Sequence, residues 1–312
     1  MKTYDSTATL QALPFDRLID ALRRLFISGC EVPLRHTHTL EVPGANPGTP
    51  GTVLIMPAWL PGLYLGIKTV NVFPGNAARG LPGLFATYTL YDARTGQPLA
   101  QMDGDQITAR RTAAASALAA SMLARPDARR LLVVGAGRVA ALLPHAYRAV
   151  LPIEQVQVWA RKPAHAVVLA KTWRNAGIDA DAVADLPAAV AQADVISCAT
   201  LATEPLIHGA WLRSGSHLDL IGGFTPQMRE ADDDCFVGAG LWVDTDEALK
   251  KSGDLLGPLA RGVIAPADIR GTLADLCRGQ APGHEHARTV FKSVGSALED
   301  LAAAMLIHEA TA

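Results

Sequence analysis

Across residues 14–28 the apolar side chains of Leu18, Ile19, Leu22, Leu25 and Phe26 recur at three- and four-residue intervals. This predicts an amphipathic helix, with Pro14 suited to its first turn and Gly29 to its end. From Val32 to Leu90 the period shortens. Runs such as GTVLIMP, LYLGIKTVNVF and GLFATYTLYD, broken by Pro and Gly, predict an antiparallel or mixed sheet. Residues 92–97 (DARTGQ) read as a hairpin turn in which Gly96 takes a positive φ. Small, strong helix formers follow Arg111 as far as Ala124, and their helix forms the joint between the two halves of the chain.

At Leu131, Leu132, Val133 and Val134 the pattern becomes continuously apolar, as in a strand buried on both faces. It then breaks into Gly135, Ala136 and Gly137. A strand feeding a glycine turn and a helix that opens with Arg138 and Val139 fits a dinucleotide cradle. Gly135 permits the turn, Gly137 lets a pyrophosphate approach the backbone, and Ala140 stands where the helix packs closely on the strand. Taken alone, the glycines also fit a turn that serves geometry only. Further β-rich runs at residues 155–159, 194–199, 217–221 and 241–244, separated by alanine-rich helical stretches such as 187–193, predict a doubly wound α/β fold of Rossmann type. The second strand ends in Ala160-Arg161-Lys162, without the acid that usually binds the ribose 2′-hydroxyl of NAD. Two cations there suit a 2′-phosphate and hence NADPH over NADH, the alternative being a solvated basic turn.

The 312 residues, 49% of them hydrophobic, are enough for two domains. A net charge of -2 gives no basic excess for nucleic acid, and runs as short as 53–56 do not span a bilayer. The first ten residues lack the apolar core of a signal peptide, and Cys30, Cys198, Cys235 and Cys277 are scattered without a CxxC pair. Reduced thiols in a cytoplasm are the expectation.

Lys68 shares a strand face with Val70 and Val72, so it either points inward or guards a sheet edge. Arg111, the Thr112 hydroxyl and the free N–H groups of a helix start suit a substrate carboxylate, although an arginine meeting solvent or capping a neighbouring helix fits equally. His36 with His38, and His284 with His286, have no third ligand at useful spacing, and no metal is expected. Asp232 to Asp234 read as a solvated loop or a helix start.

Met56-Pro57, the run GIKTVNVFPGN with Lys68 and Asn76, Arg111-Thr112, GAGRVA and the late FKSVGSALEDLAAA are collinear across nearly the whole chain. In this combination the chain resembles the ornithine cyclodeaminase/μ-crystallin family. The resemblance implies a homodimer whose Rossmann domain, residues 113–287, is inserted into an α+β substrate-binding and dimerisation domain made from residues 1–112 and 288–312. In that arrangement Val290, Phe291, Val294, Leu298, Leu301 and Met305 form the apolar face of a final helix. It further implies that Arg35, Lys68 and Arg111 bind the substrate carboxylate beside Thr112, and that Met56, Asn76, Phe224 and Ser293 line the substrate. Thr200, Gly222 and Val294 join the glycine turn around the cofactor.

Cyclodeaminases carry an aspartate after the glycine pair that follows the strand at 217–221, whereas this chain has Gly222-Gly223-Phe224. Phe224 carries no exchangeable proton, and the nearby acid, Asp219, lies within the strand. The GGFTPQMRE version resembles family members that reduce Δ1-pyrroline-2-carboxylate and Δ1-piperideine-2-carboxylate. The expectation is therefore an NADPH-dependent ketimine reductase acting on a small imino or amino acid. Three alternatives stay open: an ornithine cyclodeaminase that uses Asp219 or another acid, an alanine dehydrogenase-like enzyme, and a non-catalytic μ-crystallin-like binder of NADPH and a small ligand.

Overall fold

The computed structural model describes residues 1–41, 50–280 and 288–310, so His284 and His286 lie outside the described residues. The chain divides into two compact units, Met1–Arg111 with Ser296–Ala312, and Thr112–Gly295.

The first unit begins with strand β1 (Lys2–Tyr4) and helices α1 (Ser6–Gln11) and α2 (Phe15–Ser28). The apolar stripe read in the sequence is the face α2 buries, with Leu18, Leu22 and Phe26 almost inaccessible. Strands β2 (His36–Leu40), β3 (Gly51–Leu60), β4 (Tyr64–Val72), β5 (Leu84–Asp92) and β6 (Pro98–Asp103) complete a six-stranded sheet in the order β1-β6-β5-β4-β3-β2. The turn between β5 and β6 is held by the Asp92 carboxylate, which accepts from the Arg94 and Thr95 N–H groups, and by Gly96 at φ 74°. His36 and His38 lie on the edge strand β2, which is exposed along its whole length.

Helix α3 (Gly104–Leu123) runs through the division between the units. The second unit continues with β7 (Arg130–Val134), α4 (Arg138–Arg148), β8 (Gln155–Trp159), α5 (Pro163–Asn175), β9 (Asp179–Ala182), α6 (Leu186–Gln192), β10 (Val195–Cys198) and β11 (His217–Leu220). Then come β12 (Gly240–Val243), the helices α7 (Ala248–Lys251) and α8 (Gly253–Ala260), β13 (Ile269–Thr272), α9 (Leu273–Cys277) and β14 (Thr289–Lys292). Every pairing in its eight-stranded sheet is parallel, in the order β13-β12-β14-β11-β10-β7-β8-β9. The order reverses at β7, and in open α/β sheets such a reversal, at the carboxyl ends of the strands, forms a ligand crevice. Leu132, Ile196, Leu218, Leu241 and Val290 belong to its core.

Helix α10 (Ala297–Glu309) returns the chain to the first unit, where it packs on α2 and on β3 to β6. Here the structure corrects the sequence reading. Val290, Phe291 and Val294 do not belong to the final helix. Val290 and Phe291 lie in β14, a central strand buried on both faces, and Gly295 at φ 79° breaks the chain before α10 begins.

No helix among the described residues is long and apolar enough to cross a membrane.

Candidate active site

In the first unit the antiparallel register sets Met56 opposite Lys68, Lys68 opposite Tyr88, and Tyr88 opposite Met102, a single row on one face of the sheet. Lys68 is only 2% exposed, so of its two readings the inward one holds. Its Nζ lies 2.5 Å from Asp300 Oδ2 and donates to Thr108 Oγ1 at 3.2 Å. Arg111, one helical turn beyond Thr108, donates from Nη1 to Glu299 Oε2 at 2.7 Å and from Nε to Asp300 Oδ1 at 3.0 Å. Two cations and two carboxylates thus form a buried cluster in which Asp300 touches both cations. Burial alone would raise the Asp300 carboxyl, but Lys68 and Arg111 outweigh it and hold the group below its ordinary range.

Arg111 and Thr112 are not at a helix start. Helix α3 begins at Gly104, so by Arg111 the backbone N–H groups are already committed to the helical ladder and no first-turn anion site exists there. What Arg111 contributes to the cluster is its side chain. Thr112 follows as a half-buried residue assigned to the second unit. Arg35 is half-buried and immediately precedes β2, while the Asn76 amide donates to Pro82 O at 2.8 Å within the loop between β4 and β5. The structure therefore gathers Lys68, Arg111 and Met56 on the α10-facing side, and adds Thr108, Glu299 and Asp300.

In the second unit Gly135 adopts φ 119°, and a Cβ there would stand 2.6 Å from Ala199 O. Ala136 is half-buried behind it, and Gly137 caps α4 through its backbone with no side-chain partner and open space around it. Arg138 is exposed, Val139 half-buried, and Ala140 almost fully buried against the sheet. The cradle and the adjacent helix N-terminus fit a dinucleotide pyrophosphate. Ala160 is buried at the end of β8, with Arg161 and Lys162 exposed where α5 starts.

Buried carboxylates pin the loops that follow the central strands. Glu230 accepts from the Thr200 N–H and hydroxyl and from the Gly222 N–H, each at 2.7 Å, and burial pushes its carboxyl up to about 7. A Cβ at Gly222 would lie 2.0 Å from Thr200 O, and one at Gly223 2.0 Å from Asp254 Oδ2, so the glycine pair leaves room for this network. Lys292 pairs with Asp254 at 3.1 Å, and Asp244 accepts from the Val294 and Gly295 N–H groups. Ser293 is buried and donates its N–H to Leu220 O at 3.1 Å, whereas Phe224 is 43% exposed. Asp219 is fully buried and sealed by three hydroxyls, Ser116 at 3.1 Å, Tyr147 at 2.9 Å and Ser197 at 2.5 Å. Burial raises its carboxyl to about 6, with those hydrogen bonds opposing the rise.

Residues 21–312 match the model of the ornithine cyclodeaminase/mu-crystallin family. The chain belongs to this family. Among its relatives, the Delta(1)-pyrroline-2-carboxylate reductase of Paracoccus denitrificans is 47% identical over 296 residues, covering 92% of this chain and 94% of the relative. The ketimine reductase mu-crystallin of Mus musculus is 37% identical over 243 residues, covering 78% and 74%. The Thermococcus litoralis Delta(1)-pyrroline-2-carboxylate reductase, solved with NADH and L-proline, superposes with a TM-score of 0.90 at 34% identity over 99% of this chain and 97% of that one.

None of Glu230, Asp244, Asp254, Lys292, Glu299 or Asp300 was singled out from the sequence. The usable signal was charge in apolar surroundings, as in the adjacent acids that open the Ala- and Leu-rich α10 and the lysine within the β-rich run before it.

Proposed function

We propose that this family member is an NAD(P)H-dependent reductase of cyclic imino acids, converting Δ1-pyrroline-2-carboxylate or Δ1-piperideine-2-carboxylate to proline or pipecolate, and that it prefers NADPH. A bound reduced nicotinamide supplies the hydride. The glycine cradle from Gly135 to Val139 and the α4 N-terminus hold the pyrophosphate, while Thr200, Gly222 and Val294 bound the crevice beyond the strand ends. Arg161 and Lys162 supply the charge for a 2′-phosphate.

Lys68 and Arg111, with Arg35, bind the substrate carboxylate and fix the carbon that accepts hydride. Glu299 and Asp300 bring the buried cluster to zero net charge. That balance matches a protonated cyclic imine, a zwitterion of carboxylate and iminium, which needs no further charge from the protein.

The observation that carries reduction over cyclodeamination is the state of the acids beside the glycine pair. Phe224 has no proton to exchange, and Asp219 spends both carboxylate oxygens on buried hydroxyls. Free, buried thiols such as Cys198 and Cys235 fit a reducing compartment, and we assign the protein to the cytoplasm. A homodimer is supported by the sheet face opposite α10, where Val53, Ile55, Trp59, Ile67 and Phe85 are half-buried or exposed. An archaeal alanine dehydrogenase of similar fold, 28% identical with a TM-score of 0.89, is a dimer.

The test is a pair of assays on one sample: NADPH oxidation with Δ1-pyrroline-2-carboxylate, and ammonia release from L-ornithine with NAD⁺. Imine reduction without ammonia release is expected. Lys68→Ala and Arg111→Ala should abolish it while leaving NADPH affinity nearly unchanged. Ammonia release, or loss of cofactor binding equal to the loss of turnover, overturns the assignment.

A further inference from the structure

Asp300 occupies an unusual place for an acid. It is fully buried in the first turn of a helix whose cap is already supplied by Ser296, and its two oxygens serve two different cations on two different elements, Lys68 of β4 and Arg111 of α3. Counting donors shows what this leaves over. A lysine ammonium has three N–H groups; one is given to Thr108 while the Nζ lies in ion-pair contact with Asp300 Oδ2, so at least one is left over. An arginine guanidinium has five; Glu299 and Asp300 engage Nη1 and Nε, which leaves Nη2 uncommitted.

We infer that Asp300 is a positioning residue for the reduction proposed above: it bridges Lys68 and Arg111 and keeps the lysine charged in a dry site, so that their remaining N–H groups meet one substrate carboxylate. The inference rests on that functional reading for its substrate and on the geometry for its mechanism.

Burial pulls the Lys68 ammonium below its ordinary range, Asp300 pushes it back up, Arg111 lowers it and Glu299 raises it; Tyr88, with its hydroxyl, stands opposite across the sheet. Removing the Asp300 charge leaves Lys68 facing burial and Arg111 with Glu299 alone in opposition. The lysine then releases its proton at lower pH. Glu299 does not substitute fully, because it contacts the guanidinium from the Nη1 side and its charge acts on Lys68 more weakly than that of Asp300.

The experiment compares wild-type protein with Asp300→Asn and Asp300→Glu. Lys68 is followed directly by ¹³C NMR of labelled lysines, with Lys68→Met to assign its resonance, and melting temperature and NADPH affinity serve as fold controls. In folded Asp300→Asn the Lys68 titration should move to lower pH, and the alkaline limb of kcat/KM should move with it. KM for Δ1-pyrroline-2-carboxylate should rise about ten-fold or more, beyond any fall in kcat. Asp300→Glu should recover part of each effect. A folded Asp300→Asn with an unmoved Lys68 titration overturns the inference, and so does a variant whose losses are confined to melting temperature. If the wild type does not turn over cyclic imines but the Lys68 titration moves as described, the functional reading fails and the bridging role of Asp300 stands.

Discussion

Replacing Asp219 by Asn separates a structural acid from a chemical one. In the wild type, burial moves this carboxyl from its ordinary 3.8 to about 6 in the folded state. The unfolded chain therefore releases the proton first as pH rises. Below pH 3.8 both states are protonated and the shift has no effect on stability; between 3.8 and about 6 folding is progressively disfavoured; above 6 the full penalty is present. A shift of that size corresponds to about 3 kcal/mol at 1.36 kcal/mol per unit. Asn cannot ionise, so the variant escapes this penalty. Its own loss is imperfect matching of the hydroxyls of Ser116, Tyr147 and Ser197, about 1–2 kcal/mol because hydroxyls rotate to accept from the new amide.

The two terms oppose each other with a known pH dependence. Asp219→Asn should be less stable than the wild type at pH 4 and equally or more stable at pH 7, the difference changing by about 2.4 kcal/mol over that interval, since the unfolded carboxyl is already partly ionised at pH 4. Urea unfolding reports on the correct unit, since four of the five tryptophans, Trp159, Trp173, Trp211 and Trp242, lie within it. Other titrating groups cancel in the difference. Turnover with the cyclic imine should stay within about two-fold, since a sealed carboxylate contributes nothing to the chemistry. A stability difference that does not vary with pH refutes the buried-charge reasoning. A folded Asp219→Asn that loses activity a hundred-fold refutes the structural role.

Neutralising Arg161 and Lys162 together, as Arg161→Ser with Lys162→Ser, should weaken NADPH about ten-fold and leave NADH unchanged, measured by fluorescence titration. An unchanged NADPH to NADH ratio removes the 2′-phosphate assignment. On the open face of the six-stranded sheet, Ile67→Glu places a charge among Ile55, Thr69 and Thr89, and sedimentation should show the dimer converting to monomer. An unaltered dimer would locate the interface elsewhere.

The Rossmann character of the second unit was legible in residues 131–140 because a strand buried on both faces and a phosphate turn each demand a local composition, and Gly135 answers with a positive φ. The amphipathic α2 and the hairpin at Gly96 were legible for the same reason, each being set by neighbours within one or two turns. Strand β9, with the sequence DADA, carries no apolar pattern and exists because β8 pairs with it. Only the tertiary structure decided that Thr289–Lys292 is a strand, wedged between β11 and β12 although it follows both in sequence. A short apolar run suits helix or strand, and the choice falls to the neighbours available for hydrogen bonding. The site divides in the same way. Lys68 and Arg111 stood out as charges in apolar surroundings, but Asp300 lies 232 and 189 residues away from them (300 − 68 and 300 − 111), and Asp219 lies 103 residues from Ser116 (219 − 116). Whether such a charge is a ligand, a partner or a sealed strut depends on what folding brings within 3 Å of it, and no pattern along the chain encodes that distance.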